Sequence, residues 1–179
     1  MYGCLVHDCG QVQLDRLPMD LGDIEMVTQG LGDAVLTSNR EGTKTFRHNL
    51  IYRGCGGNFG ITTETAGYDF IENISSLAKA YKPNECMDSF GICGNYGKNP
   101  IPLDRIRVVG NVGYQPRDIS AWRPNMRLIS YNGAIRNGQA VVKDNYLMGA
   151  ANGLALSLWR DIEIAGNTIW ATKMLVQLD

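Results

Sequence analysis

The chain has no surplus of charge. Its 179 residues carry 17 Lys and Arg against 18 Asp and Glu, a formal net charge of -1, with a pI near 6.1. That balance leaves out the broad basic face that a nucleic-acid backbone or an anionic bilayer calls for, so neither partner is expected. No apolar run approaches the roughly 20 residues that span a bilayer. The opening MYGCLVHD has neither the charged nor the apolar region of a signal peptide. The five cysteines, Cys4, Cys9, Cys55, Cys86 and Cys93, are odd in number and form no C-x-x-C pair. This argues against a zinc site and against a complete disulfide framework, and they read as small buried or stacked thiols. A nucleophilic cysteine would need a base, and the only histidines are His7 and His48. The acidic insertion between His7 and Gly32, with Asp8, Asp15, Asp20, Asp23 and Glu25, lacks the D-x-D-x-D-G spacing of a calcium loop. It reads as a solvated loop, and no metal and no cofactor are expected.

What is present is a repeat, clearest over 152–171, NGLALSLWRDIEIAGNTIWA. Leu154 and Leu156 alternate, then Ile162 and Ile164. Asn167 follows, and the pattern resumes at Ile169, which is strand periodicity. With the asparagine as anchor, the residues five and three before it and two after it are mostly apolar. Phe46 and Ile51 flank Asn49 in this way, Tyr68 and Phe70 precede Asn73, Ile106 and Val108 precede Asn111, and Ala140, Val142 and Leu147 surround Asn145. Cys4 holds the anchor position in a first, incomplete copy. The misfits are Lys44, Ser75 and Gly113. Asparagine tolerates the left-handed backbone of a sharp corner, and its amide can bond to an identical residue one strand away, so these five are expected to turn the corners and stack inward as a ladder. His48, just before Asn49, reads as a corner residue. Spacings of 22 and 24 residues fit one turn of a repeat architecture, and the longer ones a turn plus a loop.

On phrases such as TFRHNLIY, YDFIENIS, IRVVGNVGY, VVKDNYLM and IEIAGNTIW, the chain resembles the right-handed parallel β-helices of the pectin-lyase-like type with a PbH1-style repeat. The resemblance covers nearly all of 1–179. It implies an all-β solenoid of about six coils, three short strands to a coil, with an inward Asn ladder between the second and third. It also implies a single domain that starts and stops mid-coil, hence a piece of a longer secreted or cell-surface protein whose signal sequence and flanking coils lie elsewhere. Because no capping repeat is visible, the chain is expected to aggregate or to be marginally stable.

First strands of the coils are read at 33–38, 59–64, 89–94, 127–131 and 153–158. Alternation directs Val35, Ile61, Ile92 and Leu154 inward, and Leu36, Thr62, Cys93 and Ala155 outward in one column. A neighbouring outward column holds Ser38, Glu64, Asn95 and Ser157. Loops at 78–88, 95–105 and 114–125 would wall a groove over this sheet. Tyr81, Lys82, Trp122 and Arg123 form one wall, Tyr96 and Lys98 the other, and Glu64 with Asn95 the floor. Flat rings and cations together suit an acidic polysaccharide; the alternative for the aromatics is that they pin loops to the coil. The groove floor offers no pair of carboxylates for glycoside hydrolysis. The polygalacturonase-like elements D-D and G-H-G are missing, and R-I-R at 105–107 reads as a second strand with Ile106 in the core. Two functions stand: a polysaccharide lyase or hydrolase whose catalytic residues are not evident, and a non-catalytic glycan-binding, structural or adhesive β-helix, as in tailspikes and adhesins.

Overall fold

A computed structural model of the chain describes residues 1–7, 35–37, 42–52, 58–62, 67–76, 89–94, 102–115, 124–130 and 136–178. All regular structure among them is strand. The chain runs through β1 (Leu5–His7), β2 (Val35–Thr37) and β3 (Thr43–Arg47), and then repeats that order. The second pass is β4 (Leu50–Tyr52), β5 (Phe59–Thr62) and β6 (Gly67–Ile71), and the third β7 (Ile74–Ser76), β8 (Phe90–Gly94) and β9 (Ile106–Val109). The fourth is β10 (Val112–Tyr114), β11 (Pro124–Ser130) and β12 (Asn137–Lys143), and the fifth β13 (Tyr146–Met148), β14 (Asn152–Leu156) and β15 (Trp159–Ala165). β16 (Thr168–Trp170) and β17 (Met174–Leu178) follow. Every third strand joins the same sheet. Sheet I is β1-β4-β7-β10-β13-β16, sheet II is β2-β5-β8-β11-β14-β17, and sheet III is β3-β6-β9-β12-β15. Adjacent parallel strands need a long crossover, and here the crossover is the passage through the other two sheets.

The inward residues of sheet III are those read from the sequence. Phe46, Phe70, Val108 and Val142 share one column and Tyr68, Ile106 and Ala140 another, and all are buried. Phe46 and Phe70 stack with ring centroids 5.1 Å apart. Lys44 occupies the Tyr68 column without breaking it, because its ammonium lies 5.1 Å from the Tyr68 ring centre and donates to the phenol oxygen at 3.0 Å. A cation over an aromatic face tolerates a place that a bare charge would not.

The asparagine column is formed. Asn49 Nδ2 donates to Asn73 Oδ1 at 2.8 Å, Asn73 to Asn111 at 3.0 Å, Asn111 to Asn145 at 3.0 Å and Asn145 to Asn167 at 2.8 Å. Cys4 holds the first place by its backbone, its N–H donating to Asn49 Oδ1 at 3.0 Å. Its thiol is exposed, so this cysteine is not the buried one expected. The corner residue is also corrected. Left-handed φ belongs to the residue before each anchor: Gly3, His48, Glu72, Gly110, Asp144 and Gly166, at 53° to 67°. The asparagine must point inward to meet its neighbours, so the turn is made one residue earlier, where a side chain can leave toward solvent.

Register corrects the reading of sheet II. Val35 pairs with Phe59, Phe59 with Phe90, Phe90 with Met126 and Met126 with Leu154, while Ile61, Ile92, Leu128 and Leu156 align in the next column. Val35 and Leu154 therefore do not share a column with Ile61 and Ile92. The column that joins Thr62 to Cys93 continues to Ile129, not Ala155. Ring stacking accounts for this register: Phe59 and Phe90 lie 5.2 Å apart and nearly parallel, a contact that a two-residue slip would lose.

Ser75 and Gly113 sit in the inward column of sheet I, between Ile51 and Leu147. They are small because polar side chains enter there. Asn58 Nδ2 donates to Ser75 Oγ at 3.0 Å, Ser75 Oγ to the Ser89 carbonyl at 3.0 Å and Gln115 Nε2 to Ser89 Oγ at 3.0 Å. Asn125 Nδ2 donates to the carbonyls of Gly113 and Met148 at 2.9 and 3.0 Å. A Cβ on Gly113 would lie 2.3 Å from Asn125 Oδ1. Gly113→Ala is expected to cost about 2 to 3 kcal/mol. In an Asn125→Ala background the same change is expected to cost under about 1 kcal/mol. Urea unfolding of the four proteins measures this, and equal costs in both backgrounds would refute the contact.

Candidate functional site

The eight residues expected to form the groove, Glu64, Tyr81, Lys82, Asn95, Tyr96, Lys98, Trp122 and Arg123, all lie outside the described residues. So do most of the loops at 78–88, 95–105 and 114–125, Cys9, Cys55 and Cys86, and nearly all of the 7–32 insertion. At the loop ends the structure differs from the reading: Tyr114 ends β10, while Pro124 and Asn125 open β11. Sheet II is described, and five of its six strands overlap the expected first-strand segments, β11 starting at Pro124 instead of 127.

One residue on that sheet was overlooked. Met126 and Leu128 are fully buried, so alternation turns Arg127 outward. It pairs with Gly91 on one side and Ala155 on the other, and Gly91 with Gly60. A half-buried arginine thus stands on the outer face of sheet II among residues with little or no side chain. A strand read from 127 onward leaves Arg127 at its first position with no facing. The Pro124 start of β11 supplies the missing alternation.

Sheet III carries mixed charge outside. Arg107 lies 3.6 Å from Asp69, and Lys143 lies 2.5 Å from Glu163. Asp161 and Glu163 are two apart on β15 and so share a face, but both are exposed. Shallow hollows here are lined by Arg105, Arg107 and Gln139, and by Arg160, Asp161 and Glu163. Ile106 is buried between its arginines, as read. His48 is the exposed corner residue expected, 3.3 Å from Glu72, which Arg47 also meets at 3.4 Å. No cluster of three or more His, Cys, Asp or Glu able to hold a metal occurs among the described residues.

Sheet I differs from both. Register aligns Leu5, Leu50, Ile74, Val112, Tyr146 and Thr168 in one outward column, and His7, Tyr52, Ser76, Tyr114, Met148 and Trp170 in the other. Neither column contains Asp, Glu, Lys or Arg. Leu5 is 59% exposed, Tyr146 54% and Trp170 55%. A hollow between Tyr114 and Trp170 is floored by Gly149 and edged by Thr172.

No protein-family model matches the chain, and neither the curated proteins nor the solved structures searched contain a match.

Proposed function

We propose that the chain is a stretch of right-handed parallel β-helix of the pectin-lyase-like type, from a secreted or cell-surface protein, that binds an acidic polysaccharide along the outer face of sheet II. The observation that carries this reading is Arg127. Arg127 stands on the outward side of β11 in line with Gly91 and Ala155, and a guanidinium is the group that grips a planar carboxylate through two parallel hydrogen bonds. The rotation of three parallel sheets and the Asn ladder support the architecture. The rings and cations of Tyr81, Lys82, Tyr96, Lys98, Trp122 and Arg123, with Glu64 and Asn95, supply the walls and floor in this reading.

Binding is favoured over catalysis. Glycoside hydrolysis calls for two carboxylates facing each other across a cleft, one held protonated by its surroundings. Asp161 and Glu163 lie side by side on an open face, with Glu163 joined to Lys143. A structural or adhesive role is the second reading, and the uncharged outer face of sheet I favours it.

Titration of polygalacturonate and of a neutral glucan into the wild-type chain tests the proposal. Binding of the acidic chain alone is expected, weakened about tenfold or more by Arg127→Ala, and also by Lys98→Ala and Trp122→Ala. A thermal melt of each variant controls for folding. Binding untouched by all three changes, or no binding of the acidic chain, would overturn the proposal.

A further inference from the structure

We infer that the outer face of sheet I is the surface through which two copies of this chain pair, face to face and with their stacking directions reversed. Three observations lead there. The first is area. Leu5, Leu50, Ile74, Tyr114, Tyr146 and Trp170 are each 39 to 59% exposed, and together they leave on the order of 700 Å² open, beyond the largest apolar patch of an ordinary monomer. That approaches the roughly 800 Å² each partner contributes to a stable interface. The second is charge. With no Asp, Glu, Lys or Arg in either column, a copy of the face can lie against itself with little repulsion or desolvation of ions. Parallel sheets are in general covered on both sides, and the described residues cover sheet I only on its inner one.

The third observation sets the direction. The exposed aliphatic side chains, Leu5, Leu50 and Ile74, come from the first three strands of sheet I. The exposed rings, Tyr114, Tyr146 and Trp170, come from the last three. A two-fold axis parallel to the strands and lying between the faces reverses the strand order, so the ring half of one copy meets the aliphatic half of the other. Each column then faces itself reversed, which sets Leu50 opposite Tyr146 and Ile74 opposite Val112. A two-fold axis along the stack would instead set rings against rings at one end and leave the other end thin. Such a contact is isologous and closes at two copies.

Sedimentation velocity of the full chain across a concentration series tests the inference, with Leu50→Lys, Tyr146→Glu and the double variant alongside. Wild type is expected at twice the 19.7 kDa of one chain. Each single change places an unpaired charge in the contact and is expected to weaken pairing by at least about 100-fold. The double variant is expected to pair again, since reversal sets the introduced ammonium of one copy against the introduced carboxylate of the other at two symmetric places. Circular dichroism confirms that each variant keeps its strands. A wild type that stays monomeric at every concentration overturns the inference, as does pairing indifferent to both single changes. Loss of pairing in the singles without recovery in the double overturns the reversed arrangement.

Discussion

Asn111→Ala is expected to destabilise the fold by about 4 kcal/mol, against about 1 kcal/mol for Asn167→Ala. The two residues do the same work in different surroundings. Asn111 Oδ1 accepts from the backbone N–H of Asn73 at 2.9 Å and from its Nδ2 at 3.0 Å. Its own Nδ2 donates to the Phe70 carbonyl at 2.8 Å as well as to Asn145. Asn73, Asn111 and Asn145 are fully buried, so truncation strands two donors and a carbonyl where water does not reach. Each stranded group carries a penalty of about 1 to 3 kcal/mol, and the sum is reduced if one water enters the space left by the amide. Asn167 accepts the same pair of bonds from Asn145, but it is half-buried at the last position of the ladder, and solvent can replace its oxygen. Asn111→Asp separates hydrogen bonding from volume: it leaves no cavity, yet it turns an oxygen toward the Phe70 carbonyl and the Asn145 oxygen and buries a charge. It is expected to be at least as damaging as alanine. Urea unfolding of the three variants checks the order, and similar losses at positions 111 and 167 would mean that the ladder contributes no more inside than at its end.

The ladder was legible because it is periodic twice over, once along each strand and once from pass to pass. Phe46, Tyr68, Phe70, Ile106, Val108, Ala140 and Val142 could be placed inward from spacing alone, since a fixed offset from the asparagine fixes the face of a period-two strand. Apart from His48, the corner residues were not legible. His48, Glu72 and Asp144 adopt a left-handed φ that aspartate and histidine tolerate better than most residues and glutamate does not, and the demand comes from the inward neighbour, not from themselves. The register of sheet II was misread because the loops before its strands vary in length, so distance from the asparagine no longer fixes position. There the stacking of Phe59 on Phe90 decides. Ser75 and Gly113 looked like defects in the apolar column, when their size makes room for Asn58 and Asn125 arriving from a different sheet. Arg127 was hidden by a strand boundary three residues away. The groove walls rest on loop residues, where no periodicity constrains a side chain, so residue type alone had to carry them.

Gly149→Ala is expected to cost more than about 4 kcal/mol and so to leave the chain largely unfolded at ordinary temperature. Gly149 and Ala150 form the short corner between β13 and β14, with φ of 80° and 60°. The first of these is strained for any residue with a Cβ. Conformation is the smaller part. An ideal Cβ at Gly149 would lie 1.7 Å from the carbonyl oxygen of Gln115 and 2.7 Å from its carbon, so the obstacle is backbone that no rotamer change can remove. That backbone is held in place: the Gln115 N–H donates to the Met148 carbonyl at 2.9 Å, and the Gly149 N–H to the Trp170 carbonyl at 2.8 Å. Moving one pass away from the next would break bonds on both sides of the corner. Gly42 provides the control, since it has the same kind of φ, 79°, yet nothing stands within 4 Å of a Cβ built there. Gly42→Ala is expected to lose only about 1 kcal/mol, the conformational part. Thermal melts of the two alanine variants beside wild type separate the terms. A Gly149→Ala protein that melts within a few degrees of Gly42→Ala would show that the corner yields, and that successive passes are not locked as tightly as these hydrogen bonds imply.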